Sequence, residues 1–368
     1  MTLRWGDYVF ARGGEHGAQE LLSAASSPHH RSAFVLGVGF DPRCLVGLVA
    51  FLDATEGLNP LVVRIELPPP SESAQPATVA LAGQHDQLFS ELTSNVEVRT
   101  IAFPTVTDAA SAGTTVARGL MLADQLDSVR HLVVDVSSLP TSLYFPLLKA
   151  AISAHDLASE SPHRFDGEIQ VLACENPTID RAITTLGVES ATYVGGFRSL
   201  DLDSGDGTGT TVWAPVIGEN SEPALYAVHA HLEPDDVCPV LPFPAMDPRR
   251  ADSLVLENQK ALFEAFQVRS SDLLHADERN PFDLYRALCN LERDYKAALE
   301  PLRPTTVALS SHGSKLLSLG VLLAAYERNM PILTAEGQDY EIDEHLDVES
   351  AAGSNQLCCL WLTGEPYG

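Results

Sequence analysis

The sequence is poor in basic residues. Only 23 lysines and arginines accompany 50 aspartates and glutamates in 368 residues, which gives a formal net charge of −27. A protein that binds duplex DNA or RNA needs a basic surface to neutralise the phosphates. The composition therefore argues against general nucleic-acid binding, while a small anionic ligand in a local basic pocket stays open. An acidic surface of this kind also suits a basic partner protein.

Long apolar runs are missing as well. No stretch reaches the roughly 20 consecutive apolar residues of a transmembrane helix, and the first residues lack the apolar core of a signal peptide. The hydrophobic content of 45% and the mean hydropathy of +0.01 are typical of a globular protein with a sizeable core. We therefore expect a cytoplasmic protein without a membrane partner.

Cysteine pairs of the C-x-x-C type are absent from the sequence. The cysteines lie in apolar surroundings, and the adjacent Cys358 and Cys359 cannot easily share an unstrained disulfide. We predict reduced, buried thiols. His229 and His231 would share one face of a strand predicted at 225–231, but two imidazoles are too few for a zinc site. Whether they bind a metal stays open, and neither a metal nor a cofactor is predicted.

Apolar strand candidates alternate with helical segments of about 10–15 residues, which is typical of a parallel sheet with helical crossovers. The predicted strands are 33–36, 61–65, 96–102, 131–135, 169–173, 212–217, 305–309, 332–334 and 356–362, and the predicted helices include 79–92, 109–126, 143–154, 251–266, 281–299 and 316–328. The fold class predicted from this pattern is α/β, with two Rossmann-like lobes whose mostly parallel sheets are flanked by helices. We expect the lobes to span 1–190 and 191–368.

The first strand leads into a glycine-containing loop. Gly37 and Gly39 allow tight backbone geometry and close approach of a ligand. Asp41 is expected to cap the next helix, with Pro42 at its first position. Arg43 would then lie at the positive end of the helix dipole, where anions bind. The alternative is a plain helix cap beside a salt-bridged or surface arginine.

Asp135, Ser137 and Ser138 follow the strand at 131–135. Polar groups at the carboxyl ends of parallel strands line the ligand crevice of open α/β sheets. Ser137 or Ser138 could be a nucleophile, but the G-x-S-x-G pattern is missing and no partner is placed to activate it. Helix capping and polar lining are therefore the preferred interpretation.

The turn Ser310-Ser311-His312-Gly313-Ser314-Lys315 joins a predicted strand to a predicted helix. Hydroxyls, a glycine and a lysine at a helix start are suited to a phosphate or a carboxylate. The turn is not a P-loop, because the G-x-x-x-x-G-K-[ST] spacing is absent. The alternative is a capped helix start with an exposed lysine.

The two Rossmann-like halves and Ser311, Gly313, Ser314 and Lys315 in this turn resemble the ligand-sensing domains of bacterial defence systems. These are the CRISPR-associated Rossmann-fold (CARF) sensors and the paired SAVED domains, which recognise cyclic oligonucleotides. The resemblance implies a sensor in antiviral (antiphage) defence. Such sensors usually carry an effector module, and no nuclease, TIR or protease module is visible here, so the protein would act either alone or with a separate effector.

The expected function is thus ligand sensing or regulation, with a small anionic, nucleotide-like ligand between two lobes. The residues predicted to line its site are Gly37, Gly39, Asp41, Arg43, Asp135, Ser137, Ser138, Ser311, Gly313, Ser314 and Lys315. One alternative is a hydrolase or transferase for a nucleotide or sugar phosphate, with Asp135 or Asp41 as general base and Lys315 or Arg43 as electrostatic stabiliser. Another is an acidic scaffold subunit of a multiprotein complex. The sequence leaves catalysis, ligand identity, oligomeric state and partner proteins open, and the sensor is preferred over an enzyme.

Overall fold

The structure is a computed structural model that describes residues 2–13, 15–68, 74–104, 109–121, 126, 128–157, 161, 164–188, 190–198 and 209–367. Its strands are β1 (Val9–Arg12), β2 (Arg31–Gly37), β3 (Leu61–Ile65), β4 (Glu97–Ile101), β5 (Val129–Asp135), β6 (Glu168–Glu175), β7 (Ile183–Val188), β8 (Thr192–Tyr193), β9 (Thr210–Val216), β10 (Asp236–Val237), β11 (Val240–Pro242), β12 (Leu274–Ala276), β13 (Thr305–Ser311), β14 (Ile332–Thr334), β15 (Gly337–Ile342) and β16 (Gln356–Thr363).

The α-helices are α1 (Glu15–Ala25), α2 (Val46–Ala54), α3 (Pro76–Leu92), α4 (Ala109–Met121), α5 (Thr141–His155), α6 (Pro177–Ala182), α7 (Glu222–Leu232), α8 (Arg250–Glu257), α9 (Pro281–Leu299), α10 (Lys315–Arg328) and α11 (Val348–Ala352). A π-helix follows α8 at Lys260–Ala265, and short 3-10 helices lie at Ser270–Asp272 and Glu365–Tyr367. Among the described residues, none of the helices combines the length and the apolar character needed to cross a membrane.

The chain forms two compact units. The first unit comprises Asp7–Thr184 and Asp339–Gly368, and the second comprises Met1–Gly6 and Thr185–Gln338. The predicted lobes, 1–190 and 191–368, assigned the last residues to the second lobe. In the structure, β16 instead pairs antiparallel with β6 of the first unit, from Gln356↔Glu175 onward. The division therefore depends on a strand pairing between residues far apart in sequence.

The first unit contains a sheet with the strand order β1-β16-β6-β5-β2-β3-β4. Strands β2 to β6 pair in parallel, and β16 and β1 extend the sheet in antiparallel fashion. Numbered along the chain, the parallel strands β2 to β6 stand in the order 3-2-1-4-5. The order therefore reverses between β2 and β5, and open α/β sheets bind ligands at the carboxyl ends of the strands that flank such a switch point.

Apolar side chains on helices and strands of the first unit form its core. Phe34 of β2 and Phe51 of α2 are fully buried, with ring centroids 4.8 Å apart. The same cluster includes Leu22 of α1 and Phe89 of α3. Parallel strands that are covered by helices on both faces consist of continuous runs of apolar residues. For this reason β2, β3 and β5 could be predicted well from the sequence.

The second unit contains a sheet with the strand order β12-β11-β9-β13-β14-β8, and the two-residue β10 also pairs with β9. Strands β9, β11, β12, β13 and β14 pair in parallel, and β8 is antiparallel to β14. In chain order these parallel strands again stand as 3-2-1-4-5. The switch point of the second sheet thus lies between β9 and β13. The parallel strands of the two units therefore share one strand order.

The predicted α/β class with mostly parallel, helix-flanked sheets is confirmed. One element prediction is wrong: residues 225–231 belong to helix α7 rather than to a strand. Their apolar residues Leu225 and Val228 are three positions apart and face the core of the second unit beside Trp213. A short apolar segment is compatible with both the helical and the strand periodicity, and packing against the core of the second unit favours the helix.

Candidate functional site

The site residues predicted from the sequence all lie at the last position of a strand that flanks a switch point, or shortly after it. Strand β2 leads to Gly37–Arg43 and β5 leads to Asp135–Ser138, and because β2 pairs with β5 these segments meet at one edge of the first sheet. Strand β13 leads to Ser311–Lys315 at the corresponding edge of the second sheet. In topological terms, the turn after β13 corresponds to the turn after β5.

Arg43 lies in a cluster of ions at the first switch point. Its Nη2 and Nε donate to the carboxylate of Asp41 at 2.8 and 2.9 Å, and its Nη1 donates to Asp180 at the start of α6, at 2.6 Å. Arg43 is only 5% exposed. Burial disfavours its charge, but the two carboxylates hold the pKa of the guanidinium above its ordinary value. Arg43 is therefore a buried, salt-bridged residue, which was the alternative interpretation.

The predicted capping role of Asp41 is wrong. Helix α2 begins at Val46, after a turn at 42–45, and its N-cap is Leu45, without a side-chain hydrogen bond. The Asp41 carboxylate instead accepts from the backbone N–H of Arg43 at 2.9 Å. The Asp41 side chain closes this local turn because it reaches the backbone amide two residues later in the chain. Pro42 and Arg43 consequently lie outside the helix.

Asp135 and Ser137 form a buried network at the end of β5. The Ser137 hydroxyl donates to Asp135 Oδ1 at 2.5 Å, the Ser137 N–H donates to the same oxygen at 2.9 Å, and the Cys174 N–H donates to Ser137 Oγ at 2.9 Å. Asp135 and Ser137 are 2% and 1% exposed. The network joins β5 to β6, which fits the structural role that we preferred over nucleophilic catalysis.

The two loops at the first switch point also contact each other directly. The Ser138 hydroxyl donates to the carbonyl of Gly37 at 2.6 Å. A β-carbon on Gly37 would lie 2.7 Å from Leu139 Cδ2, and one on Gly39 would lie 2.8 Å from Leu67 Cδ1. These glycines therefore make room for leucine side chains. The space beside these two glycines is thus taken by leucine side chains.

In the turn after β13 the residues from Ser311 to Lys315 are partly exposed, as residues 39–42 and Ser138 are at the first switch point. Ser314 is the N-cap of α10, where its Oγ accepts from the Leu317 N–H at 3.3 Å, and Lys315 is the first helical residue. The positive end of a 14-residue helix and an ammonium group thus lie together at the second switch point. This arrangement is chemically suited to an anion.

Hydrogen bonds hold the turn in one conformation. The Ser310 hydroxyl accepts from Trp213 Nε1 at 3.1 Å and lies 2.9 Å from His312 Nε2, and Ser311 Oγ lies 2.8 Å from Ser318 Oγ. Burial lowers the pKa of His312 to about 4, so its imidazole is neutral near pH 7. The local positive charge at this turn is therefore carried by Lys315 rather than by His312.

Sequence reasoning missed an ion cluster at the carboxyl ends of β9 and β12. Arg250 pairs with Glu219, just after β9, at 2.9 Å and with Glu278, just after β12, at 2.7 Å. Arg250 and Glu278 are 9% and 7% exposed. The position of Glu219 shortly after an apolar strand was the signal available in the sequence. Its partner, Arg250, lies 31 residues further along the chain.

His229 and His231 do not form a pair of metal ligands on a strand face. His229 stacks on Phe266 with centroids 4.3 Å apart, and His231 contacts the ring of Tyr193 at 5.7 Å. Burial lowers the pKa of His229. Within the described ranges, no group of three or more histidine, cysteine, aspartate or glutamate side chains is arranged to hold a metal ion.

Comparisons with known proteins add little to this picture. No protein-family model and no curated protein sequence matches the chain. Among solved structures, a putative universal stress protein from Pseudomonas aeruginosa UCBPP-PA14 is similar at 11% identity, covering 90% of this chain and 99% of that one, with a TM-score of 0.23. A TM-score this low supports no inference about function.

Proposed function

We propose that this protein is a ligand-sensing or regulatory protein that binds a small anionic, nucleotide-like ligand at the switch point of its second sheet. Ser311, Gly313, Ser314 and Lys315 would contact the anionic group. The observation that carries the proposal is the position of this turn: it follows the fourth strand of a 3-2-1-4-5 sheet, beside the first strand, and its residues are partly exposed.

The charge distribution supports a small ligand rather than a polymer. Lys315 and the dipole of α10 supply positive potential over one helix turn, while the chain as a whole carries a net charge of −27. A long polyanion would meet repulsion beyond this turn, whereas a single phosphate or carboxylate fits inside the local field. The ligand's remaining groups would contact neighbouring residues of the same crevice.

The switch point of the first sheet would then have a structural role and would not bind the ligand. At its switch point Arg43 is neutralised by Asp41 and Asp180, and Leu139 and Leu67 pack against the glycines. Anion recognition by Arg43 would require breaking two ion pairs. The resemblance to CARF and SAVED sensors makes cyclic oligonucleotides natural members of the ligand panel, with a separate effector that reads out binding in antiviral defence.

The test is a thermal-shift and native mass-spectrometry screen of the full chain against linear and cyclic nucleotides. A ligand that stabilises the protein and is recovered unaltered supports the proposal. Lys315→Ala should weaken its binding at least about tenfold, since a charged hydrogen bond is lost. Lys260→Ala, an exposed lysine of the same unit, is the matched control and should bind as the wild type does.

Other outcomes favour other functions. Conversion of a nucleotide or sugar phosphate to product would support a hydrolase or transferase. Salt-sensitive retention of a basic protein, with no response to any anionic ligand, would support the acidic scaffold. Equal binding by wild type and Lys315→Ala would reject the second switch point as the site.

A further inference from the structure

Strand β4 forms one edge of the first sheet. It pairs in parallel with β3 on one side, and none of the described residues pairs with its other side. Of the four strands that end the two sheets, β4 has five residues, β1 has four, β12 has three and β8 has two. Proteins commonly protect sheet edges by keeping the terminal strands short. Among these edges, β4 is therefore the longest one that could pair with a further strand.

The backbone groups of Val98 and Thr100 form the outer edge of β4. The N–H of Glu66, just after β3, donates to the carbonyl of Ile101 at 3.0 Å, so the carbonyl of Ile101 faces β3. Backbone groups alternate in direction along a strand. Those of Arg99 therefore also face β3, whereas those of Val98 and Thr100 point away from the sheet. An outward row of N–H and C=O groups is a template for one more strand.

The side chains of β4 are exposed on both faces of the sheet. Val98 is 37% exposed and lies on the face covered by α3, because its register partner Val62 belongs to the same core cluster as Phe89. On the opposite face, the Glu97 carboxylate accepts from Arg99 Nε at 2.9 Å, and these side chains are 43% and 30% exposed. A further strand would therefore cover apolar surface on one face and meet both charges on the other.

These charges fit a second copy of the same strand. When two copies of β4 run antiparallel with Val98 opposite Val98, Glu97 of each copy lies opposite Arg99 of the other. Opposite charges at such cross-strand positions attract, and like charges repel. Registers centred on Glu97 or on Arg99 set like charges against each other, and a register centred on Thr100 gives neither residue a charged partner. Charge complementarity therefore selects the register centred on Val98.

The local charge of this edge also differs from that of the whole chain. With a formal net charge of −27, two copies of the protein repel each other in general. At β4, Arg31 and Arg99 both pair with Glu97, at 2.6 and 2.9 Å. This cluster has two positive charges and one negative charge, so it lacks the excess of acidic groups that would keep two copies apart.

We propose that two copies of this chain associate through β4 to form a weak, reversible dimer with one continuous sheet. A two-fold axis passes between the two Val98 residues, whose backbone N–H and C=O groups exchange hydrogen bonds. The exposed parts of their side chains pack against each other on one face of the sheet. On the other face, Glu97 of each copy pairs with Arg99 of the other, so that both partners use the same surface.

Sedimentation velocity of the full chain between about 5 and about 500 µM tests the proposal, because a small interface has a low affinity. We expect the sedimentation coefficient to rise with concentration toward that of a dimer. Val98→Pro removes the outward N–H and places a ring where the second strand would lie, while no bond to β3 is lost. This variant should remain monomeric. Val98→Thr keeps the N–H and the β-branched side chain and should associate as the wild type does.

Two charge reversals test the register. Glu97→Arg and Arg99→Glu each set like charges against each other at two symmetric positions, so each variant alone should dimerise at least about tenfold more weakly. Mixed in equal amounts, the two variants should form a heterodimer, because every arginine at these positions then lies opposite a glutamate. Arg293→Glu is the matched control: it changes the net charge as Arg99→Glu does, but on an exposed side chain of α9, and it should dimerise normally.

The proposal is overturned if the wild type sediments as a monomer over the whole range, or if Val98→Pro dimerises as strongly as the wild type. Wild-type dimerisation of either charge reversal alone, or the absence of a heterodimer in their mixture, would contradict it as well. Glu97 and Arg99 have exposed side chains, so the charge reversals decide the question even if Val98→Pro does not fold.

Discussion

The carbonyl oxygen of His312 occupies space that a side chain on Gly218 would need. A β-carbon built on Gly218 would lie 1.6 Å from that oxygen, so the loops after β9 and β13 approach as closely as the backbone allows. The His312 N–H also donates to the carbonyl of Val216 at 2.9 Å. The second switch point is therefore shaped by a backbone contact that admits only glycine.

This contact predicts that Gly218→Ala destabilises the protein by at least about 2 kcal/mol, because the alanine methyl group displaces backbone rather than a movable side chain. Urea unfolding followed by circular dichroism measures the change. Gly83→Ala is the matched control: Gly83 lies inside α3 with open space around it, and alanine there should stabilise the helix by about 0.5–1 kcal/mol. Equal stability of Gly218→Ala and wild type would contradict the close approach.

Removal of Arg43 tests the buried ion cluster of the first sheet. Arg43→Leu leaves Asp41 and Asp180 without their shared cation, and we expect a loss of about 3 kcal/mol in the free energy of unfolding. Arg164→Leu removes an arginine whose partner Asp166 is 73% exposed, and it should change stability by less than about 0.5 kcal/mol. Similar effects for the two variants would show that the Arg43 cluster is no stronger than a surface pair.

We predict that the free energy of unfolding changes with pH because of the buried His131. Its ring is fully buried between Ser32 and Gln170, each at 3.0 Å. Because Gln170 Nε2 donates to the Leu21 carbonyl, its Oε1 accepts from His131 Nε2–H, and His131 Nδ1 accepts from the Ser32 hydroxyl. Burial lowers the pKa of His131 to about 4, so the folded protein holds the neutral imidazole.

The unfolded chain takes up a proton on His131 near pH 6.5, whereas the folded protein does so only near pH 4. The stability contributed by this group is therefore complete above pH 6.5 and is lost as the pH falls toward 4, by roughly 3 kcal/mol in total. Urea midpoints measured between pH 8 and pH 4 test this. His131→Leu should flatten the acid limb, while His345→Gln, at an exposed histidine, should not.

We predict that the cysteines react slowly with thiol-specific reagents while the protein is folded. All of those at 44, 174, 238, 289, 358 and 359 are free and buried, and burial raises the pKa of Cys44 and Cys289 to about 12. A thiol-specific reagent needs the thiolate and access to it. We expect negligible labelling of the native protein at pH 7.5 and labelling of every cysteine after denaturation. Rapid reaction of one thiol in the native state would locate a region that opens readily.

The strands and helices were largely predictable from the sequence, because covered parallel strands require apolar runs and helices require a different period. The predicted helix at 281–299, for example, is α9, and the Asn280 side chain caps it by accepting from the Phe282 N–H at 3.1 Å. The placement of the Ser311–Lys315 turn at a strand end also follows from local pattern. The sequence could not indicate that β16 joins the first sheet, since that pairing links residues about 190 positions apart.

The sequence by itself therefore determined the α/β class, the alternation of strands and helices, and the polar turns that follow the strands. Only the tertiary structure decided which residues the side chains of these turns contact. From the sequence, Arg43 resembled an anion-binding residue, but folding places Asp180, 137 positions away, beside it. Local residue patterns describe local backbone preferences, whereas the neutralisation of a charge depends on residues that only folding brings together.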